Sequence, residues 1–198
     1  MTISLPELET VIDAASNFAA ISIEDLKTLF LPMGYPLIDP SHGLSWRVKS
    51  MWATRAKVEG KRDLNVVNDF IGIRIIALNM GAVLQAERRL AEWEARRGLL
   101  LVSRDDYFSS DVTAGYRAIH RDYVLAEPER WGLLPCVGVE VQITTWLQYA
   151  HNMISHALLY KGSTSIEKAE ILRQMATKIS EVDALLQTFE NDDKMDSR

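Results

Sequence analysis

The stretch Val137 to Thr144, VGVEVQIT, limits the possible folds more than any other part of the chain. Strict alternation puts Val137, Val139, Val141 and Ile143 on one side of an extended strand, and Glu140, Gln142 and Thr144 on the other. One side is wholly β-branched and the other wholly polar, which demands a sheet with a packed face and an open one. An isolated Glu in such a place can simply face water. If the polar face lines a cleft, Glu140 is a carboxylate on a rigid element and suits a metal ligand or a general base.

A second apolar run, FIGIRIIAL from Phe70 to Leu78, reads as a buried strand. It carries Arg74 among isoleucines, where a charge is costly unless it is paired or reaches a ligand. Asp69 stands at its entrance, either as an ordinary turn residue or as part of a site. Met80 to Arg97 reads as an amphipathic helix with the stripe Val83, Ala86, Leu90 and Trp93, ended by Gly98. Leu44 to Lys49, Leu99 to Ser103 and Gly115 to Leu125 read as further strands. Ser50 to Val58 and Thr145 to Tyr160 read as helices.

Two short helices, Leu5 to Phe18 and Ile23 to Leu31, precede a Pro- and Gly-broken loop over 32–43, with Ser22 read as the start of the second. A last helix covers about Ser165 to Phe189, with the stripe Leu172, Met175, Ile179, Val182, Leu185 and Phe189. The polar end of the chain, 191–198, reads as a disordered tail. The expected fold class is α/β (α+β), a mixed sheet flanked by helices with extra helices at both ends.

Composition narrows the function. The 198 residues are 47% apolar, enough for one domain with a true core. A net charge of −5 argues against a general nucleic-acid binder. No apolar run approaches the roughly 18 residues of a membrane span, and the first residues do not read as a signal peptide. A lone cysteine, Cys136, fits a reducing compartment and a structural role, so a cytoplasmic protein is expected.

Against this acidic background, Arg47, Lys49, Arg55, Lys57, Lys61 and Arg62 crowd together with only Glu59 opposing them. Such density is either a solvated helix face or a grip on polyphosphate. Tyr116 and His120, four apart in GYRAIH, share a strand face, where Tyr116 is a cross-strand aromatic or a surface for stacking on a base. Carboxylates with a nearby basic cluster are what phosphoryl transfer requires.

In order, these motifs resemble the synthetase domain of the RelA/SpoT family. They are RVKS at Arg47 to Ser50, Lys57, NDFIGIR at Asn68 to Arg74, RDDY at Arg104 to Tyr107, GYRAIH at Gly115 to His120, VEVQI at Val139 to Ile143 and HALLYK at His156 to Lys161. The resemblance divides the chain into N-terminal helices and loop (1–43), a synthetase domain (44–161), a C-terminal helix (162–190) and a tail (191–198). It implies a nucleotidyltransferase-like fold, with ATP as pyrophosphate donor and Mg²⁺ as cofactor. Arg47 and Arg74 would clasp the adenine, and Lys49 and Lys57 its phosphates. Asp69 would bind Mg²⁺. Glu140 would bind Mg²⁺ or take the proton from the acceptor's 3′-hydroxyl. Tyr116 would stack on the acceptor base, with His120 and Gln142 supporting that side. The family's hydrolase domain, which depends on a His-Asp pair, is not expected.

The chain departs from the family pattern at several positions, with the donor side nearly intact and the acceptor-side charges thinned. Ala53 replaces a Ser, Asp111-Val112 a Pro-Lys pair, Thr144 an Arg, and Met153 and Ser155 stand where acids usually precede His156. Three readings follow: a synthetase of (p)ppGpp from ATP and GDP or GTP; a toxin-like member, with an antitoxin partner, acting on an adenine nucleotide or the 3′ end of tRNA; or an inactive nucleotide-sensing or partner-binding module. Arg104, Arg117 and Arg121 are the candidates to replace the lost acceptor-side charge. The small members of the family point to a homo-oligomer.

Overall fold

The computed structural model describes residues 5–30, 43–50, 52–53, 67–109, 115–135, 137–160 and 166–195. Its elements, in order, are α1 (Leu5–Phe30), β1 (Leu44–Val48), β2 (Val67–Ala77), α2 (Met80–Arg97), β3 (Leu99–Asp106), β4 (Ile119–Leu125), a short 3-10 turn (Pro128–Trp131), β5 (Val137–Thr145), α3 (Trp146–Tyr160) and α4 (Ile166–Met195). Expectations for Cys136, for the loop over 32–43 and for most of the helix over 50–58 fall outside the described residues.

The five strands form one mixed sheet in the order β1-β2-β5-β4-β3. Only β2 and β5 run parallel, while β1–β2, β4–β5 and β3–β4 are antiparallel. The two strands flagged by their sequence patterns therefore lie side by side at the sheet's centre. Ile71, Ile73 and Ile75 of β2 and Val139, Val141 and Ile143 of β5 are all buried. They face α1 and α2, whose Phe18, Leu26, Leu90 and Trp93 complete the core. Burying these large apolar side chains contributes about 1.5–3 kcal/mol each, so the register of the central pair is strongly fixed.

The helix α2 has the expected bounds and buried stripe. Asn79 caps its start by accepting from the Ala82 amide, and Gly98, at φ +64°, ends it in the left-handed region. At the N-terminus one continuous helix replaces the two that were expected. The sequence Ala19-Ala20-Ile21-Ser22 contains neither Gly nor Pro to break it, and Ala19 and Ser22 are both buried. Arg97 pairs with Asp25 and Arg89 Nη1 donates to the Leu29 carbonyl at 3.2 Å, tying α2 to α1.

The strand expected from Gly115 begins only at Ile119. Gly115 itself has φ +72°, outside the strand region. The first strand of the tail half, β3, runs three residues beyond Ser103, to Asp106. At the other end α4 continues past Phe189 to Met195, where a disordered tail was expected. The extension Glu190 to Met195 holds no Gly or Pro, and lengthening an existing helix needs no new nucleus.

The helix α4 packs on α3 and on the end of β5 through polar groups. Gln148 Nε2 donates to Ser180 Oγ at 2.9 Å, Thr145 Oγ1 to Asp183 Oδ2 at 2.6 Å, and His151 Nε2 lies 2.9 Å from the Leu172 carbonyl. The expected apolar stripe of α4 is mostly not used for this. Leu172 is buried, but Met175, Val182 and Leu185 are exposed. Among the described residues no helix is long and apolar enough to cross a membrane.

Candidate active site

Sheet register brings most of the predicted site residues to one face, opposite the core. Arg47 pairs with Gly72 across β1–β2. Gly72 pairs with Glu140, and Arg74 with Gln142, across β2–β5. Next come Gln142 with His120 and Glu140 with Asp122. A cleft of about 90 Å³ is lined by Ser45, Trp46, Arg47, Gly72, Ile73, Arg74 and Gln142. Gly72 makes room for it: a Cβ there would stand 3.2 Å from Arg47 Cγ and Nε, so the arginine lies directly across the glycine.

Glu140 sits at the middle of a polar network. His120 Nδ1 is 3.1 Å from Oε1, and Gln142 Nε2 donates to Oε2 at 2.7 Å. On the far side of the imidazole the Tyr116 hydroxyl lies 2.6 Å from His120 Nε2. Gln142 Oε1 in turn accepts from Arg74 Nη2 at 3.2 Å. Burial pushes the Glu140 carboxyl up, and the charge of Asp69 adds to this. The hydrogen bond and charge of His120, with the Gln142 amide, outweigh both and hold it below the usual carboxylate range. Burial, reinforced by the negative charge of Glu140, pushes the Tyr116 hydroxyl up to about 12, with Arg74 and Arg47 pulling the other way.

Asp69 and Lys49 form an ion pair at the β1–β2 end of this face. The Lys49 amide also donates to the Phe70 carbonyl at 2.8 Å, which continues the strand pairing past Val48. Lys57 lies outside the described residues. Arg47, Lys49, Asp69, Arg74, Tyr116, His120, Glu140 and Gln142 thus belong to one connected region.

A divalent ion is implied by the family resemblance. Among the described residues no group of three or more His, Cys, Asp or Glu side chains could hold a metal. Mg²⁺ does not need one, because it binds through one or two carboxylates and completes its shell with substrate phosphate and water. Asp69, at the β1–β2 end of the face, and Glu140, at its middle, are carboxylates of the kind that fits a phosphate-bound Mg²⁺.

Neither Tyr107, in the RDDY motif, nor Tyr149 was assigned a role from sequence. The Tyr107 ring stands edge-on to Tyr116 at 5.6 Å and to His120 at 4.9 Å. The Tyr149 ring lies 5.0 Å from Arg74 Cζ. Thr144, where the family has Arg, donates from Oγ1 to the Arg117 carbonyl at 2.9 Å, and Asn152 Nδ2 donates to the same oxygen at 3.1 Å. These bonds fix the irregular segment that presents Tyr116.

Two of the three candidate replacement cations lie on the wrong face. Arg121 pairs with Val141, hence on the core side, and bonds Glu87 and Glu94 of α2 at 2.9 Å each. Arg104 pairs with Arg121 and grips Glu87 with two bonds, at 2.6 and 3.0 Å. Burial pushes the Glu87 carboxyl up, but these two arginines outweigh it and leave it lowered. On the site face the corresponding positions hold Asp122 and Asp105, beside Glu140 and His120 respectively.

A family profile described as "Region found in RelA / SpoT proteins" matches residues 46–165. The chain belongs to that family. Its fold is that of the small alarmone synthetases. The structure of small alarmone synthetase 1 from Bacillus subtilis bound to its product pppGpp matches with a TM-score of 0.72 at 19% identity, covering 94% of this chain and 96% of that one. Small alarmone synthetase 2 from the same organism matches with 0.70 at 20% identity, covering 91% and 97%. Small alarmone synthetase 1 bound to AMPCPP matches with 0.69 at 19% identity, covering 96% and 99%. No curated protein matches the chain in sequence.

Proposed function

We propose that the chain is an ATP-dependent pyrophosphokinase that transfers the β,γ-diphosphate of ATP to the 3′-hydroxyl of GDP or GTP, making (p)ppGpp. The observation that carries this reading is the placement of Glu140. It is a partly buried carboxylate on the central strand, on the same face as the Arg47–Arg74 cleft, and it stays ionised. The pppGpp and AMPCPP held by the similar Bacillus subtilis synthetase support a product and a donor of these kinds.

In this reading Arg47 and Arg74 hold the adenine at the cleft, and Lys49 and Lys57 meet the phosphates. Tyr116 stacks on the acceptor base, with His120 and Gln142 holding the acceptor side. The acceptor's 3′-oxygen attacks the β-phosphorus of ATP, the bond to the α-phosphate oxygen breaks, and AMP leaves. The proton of the hydroxyl passes to Glu140, which His120 and Gln142 orient. Mg²⁺, held through Asp69 while Glu140 serves as the base, would supply neutralisation of phosphate charge. Lys49 must release Asp69 in part for this, and the incoming phosphates offer it an alternative partner.

A second reading has one observation in its favour. Arg104 and Arg121 are committed to Glu87 and Glu94 on the opposite face, while Asp105 and Asp122 occupy the site face. Such a surface repels a polyphosphate and suits an acceptor with less charge, as in a toxin-like member acting on an adenine nucleotide or the tRNA 3′ end. The deciding experiment offers terminally labelled ATP and Mg²⁺ with GDP, GTP, AMP, ADP or bulk tRNA in parallel. Label on GDP or GTP supports the first reading. Label on tRNA or an adenine nucleotide alone supports the second, and no transfer to any acceptor refutes both in favour of a binding module.

A further inference from the structure

Arg74 enters the cleft from a strand of isoleucines, and its guanidinium is held from two directions. Gln142 Oε1 accepts from Nη2 at 3.2 Å. The ring of Tyr149, in the first turn of α3, stacks against it at 5.0 Å from Cζ to the ring centroid. Trp146, three residues earlier on the same helix, supports Tyr149 in turn, with ring centroids 6.2 Å apart and planes inclined at 36°. A half-exposed tryptophan, a tyrosine and an arginine thus form a ladder that ends at the cleft wall.

An arginine that offers a flat face to a ligand must have its many rotamers restricted, and an unsupported one pays that ordering cost on binding. Stacking on an aromatic ring removes much of the cost beforehand and fixes the plane of the guanidinium. We propose that Tyr149 is a positioning residue for the donor nucleotide, holding Arg74 flat against the cleft so that its free face stacks on the donor's purine. The inference rests on the reading of Arg47 and Arg74 as the donor-base clasp. The Tyr149 hydroxyl has no part in it, so only the ring matters.

The test compares the wild-type chain with Tyr149→Phe, Tyr149→Leu, Tyr149→Gln and Arg74→Ala. Each is measured for KM and kcat with ATP, for KM with the acceptor, and for binding of a non-hydrolysable methylene-bridged ATP analogue by calorimetry. Thermal unfolding of each variant shows which are folded. The expected result is wild-type behaviour for Tyr149→Phe. Tyr149→Leu and Tyr149→Gln raise KM for ATP and weaken analogue binding by about three- to tenfold, with acceptor KM unchanged. Two ring-removing variants are used so that one folded protein suffices. If a folded variant without the ring binds the analogue as wild type does, or if the loss falls on the acceptor, the inference is overturned. If Arg74→Ala also leaves analogue binding unchanged, the donor-clasp reading falls with it. If Arg74→Ala weakens binding and the Tyr149 variants do not, the clasp stands and only the role of Tyr149 is refuted.

Discussion

Gly115→Ala tests how α4 and the acceptor side of the site are joined. Gly115 has φ +72°, and a Cβ there would stand 2.5 Å from Ala176 Cβ and 3.2 Å from the Arg173 Cα, both on α4. The left-handed conformation costs an L-residue about 1–2 kcal/mol, and forcing a methyl into packed helix backbone costs about 1–3 kcal/mol more. Restricting the unfolded chain returns about 0.4–1 kcal/mol, which leaves a net destabilisation of roughly 1–5 kcal/mol. Gly98→Ala is the matched control, because Gly98 has φ +64° with nothing within 4 Å of the added Cβ. It carries the backbone cost alone, about 0–1.6 kcal/mol after the same correction. Urea unfolding of both variants gives the difference, and Ala176→Gly in the Gly115→Ala background should recover part of it. Gly115 precedes Tyr116, so the same substitution should raise KM for the acceptor more than for ATP. Equal midpoints for Gly115→Ala and Gly98→Ala would refute the claim that α4 closes on this turn.

Asp183 is almost wholly buried at the α3–α4 junction, and burial raises its carboxyl although Thr145 donates to it. A raised native value means that its stabilising contribution is complete below the unfolded value, near 3.8, and is lost as pH rises through the native value. Asp183→Asn should therefore gain stability relative to wild type as pH rises over that range, as read from unfolding midpoints at several pH values. A constant difference across pH would contradict this. The exposed Met175, Val182 and Leu185 of α4, with Met153, Ile154 and Leu158 of α3, should support self-association. Light scattering should show a multimer that Val182→Glu with Leu185→Glu dissociates, and a wild-type monomer at micromolar concentration would refute this.

Much of the site was legible because sheets obey simple periods. The alternation of VGVEVQIT put Glu140 and Gln142 on the open face of the central strand, and the charge of Arg74 inside FIGIRIIAL called for a partner or a ligand, of which the structure shows the partners Gln142 and Tyr149. The helix ended by Gly98 was equally plain, since an amphipathic stripe and a left-handed cap agree there. Parity could also have excluded Arg121, which alternates with His120 and so faces the core. Arg104 was harder, because β3 has a register irregularity between Leu101 and Ser103 that changes which side each residue takes. The start of β4 was misread because Tyr116 and His120 do meet, but through an irregular turn rather than along a strand. Tyr149 left no local signal, and Tyr107 stood in the RDDY motif without a role. Their roles depend on how α3 and the end of β3 dock on the sheet, which no period encodes.

The most direct measurement of the central claim is transfer of label from the terminal phosphates of ATP to a nucleotide acceptor by wild type and Glu140→Gln, with unfolding midpoints for both. The account predicts that wild type forms a 3′-diphosphorylated nucleotide and AMP in equal amounts. It predicts that Glu140→Gln, folded to the same extent, loses about 10²–10⁴ in rate. Undiminished transfer by the folded variant would show that Glu140 does not accept the proton, and the chemistry would have to be placed elsewhere on the sheet.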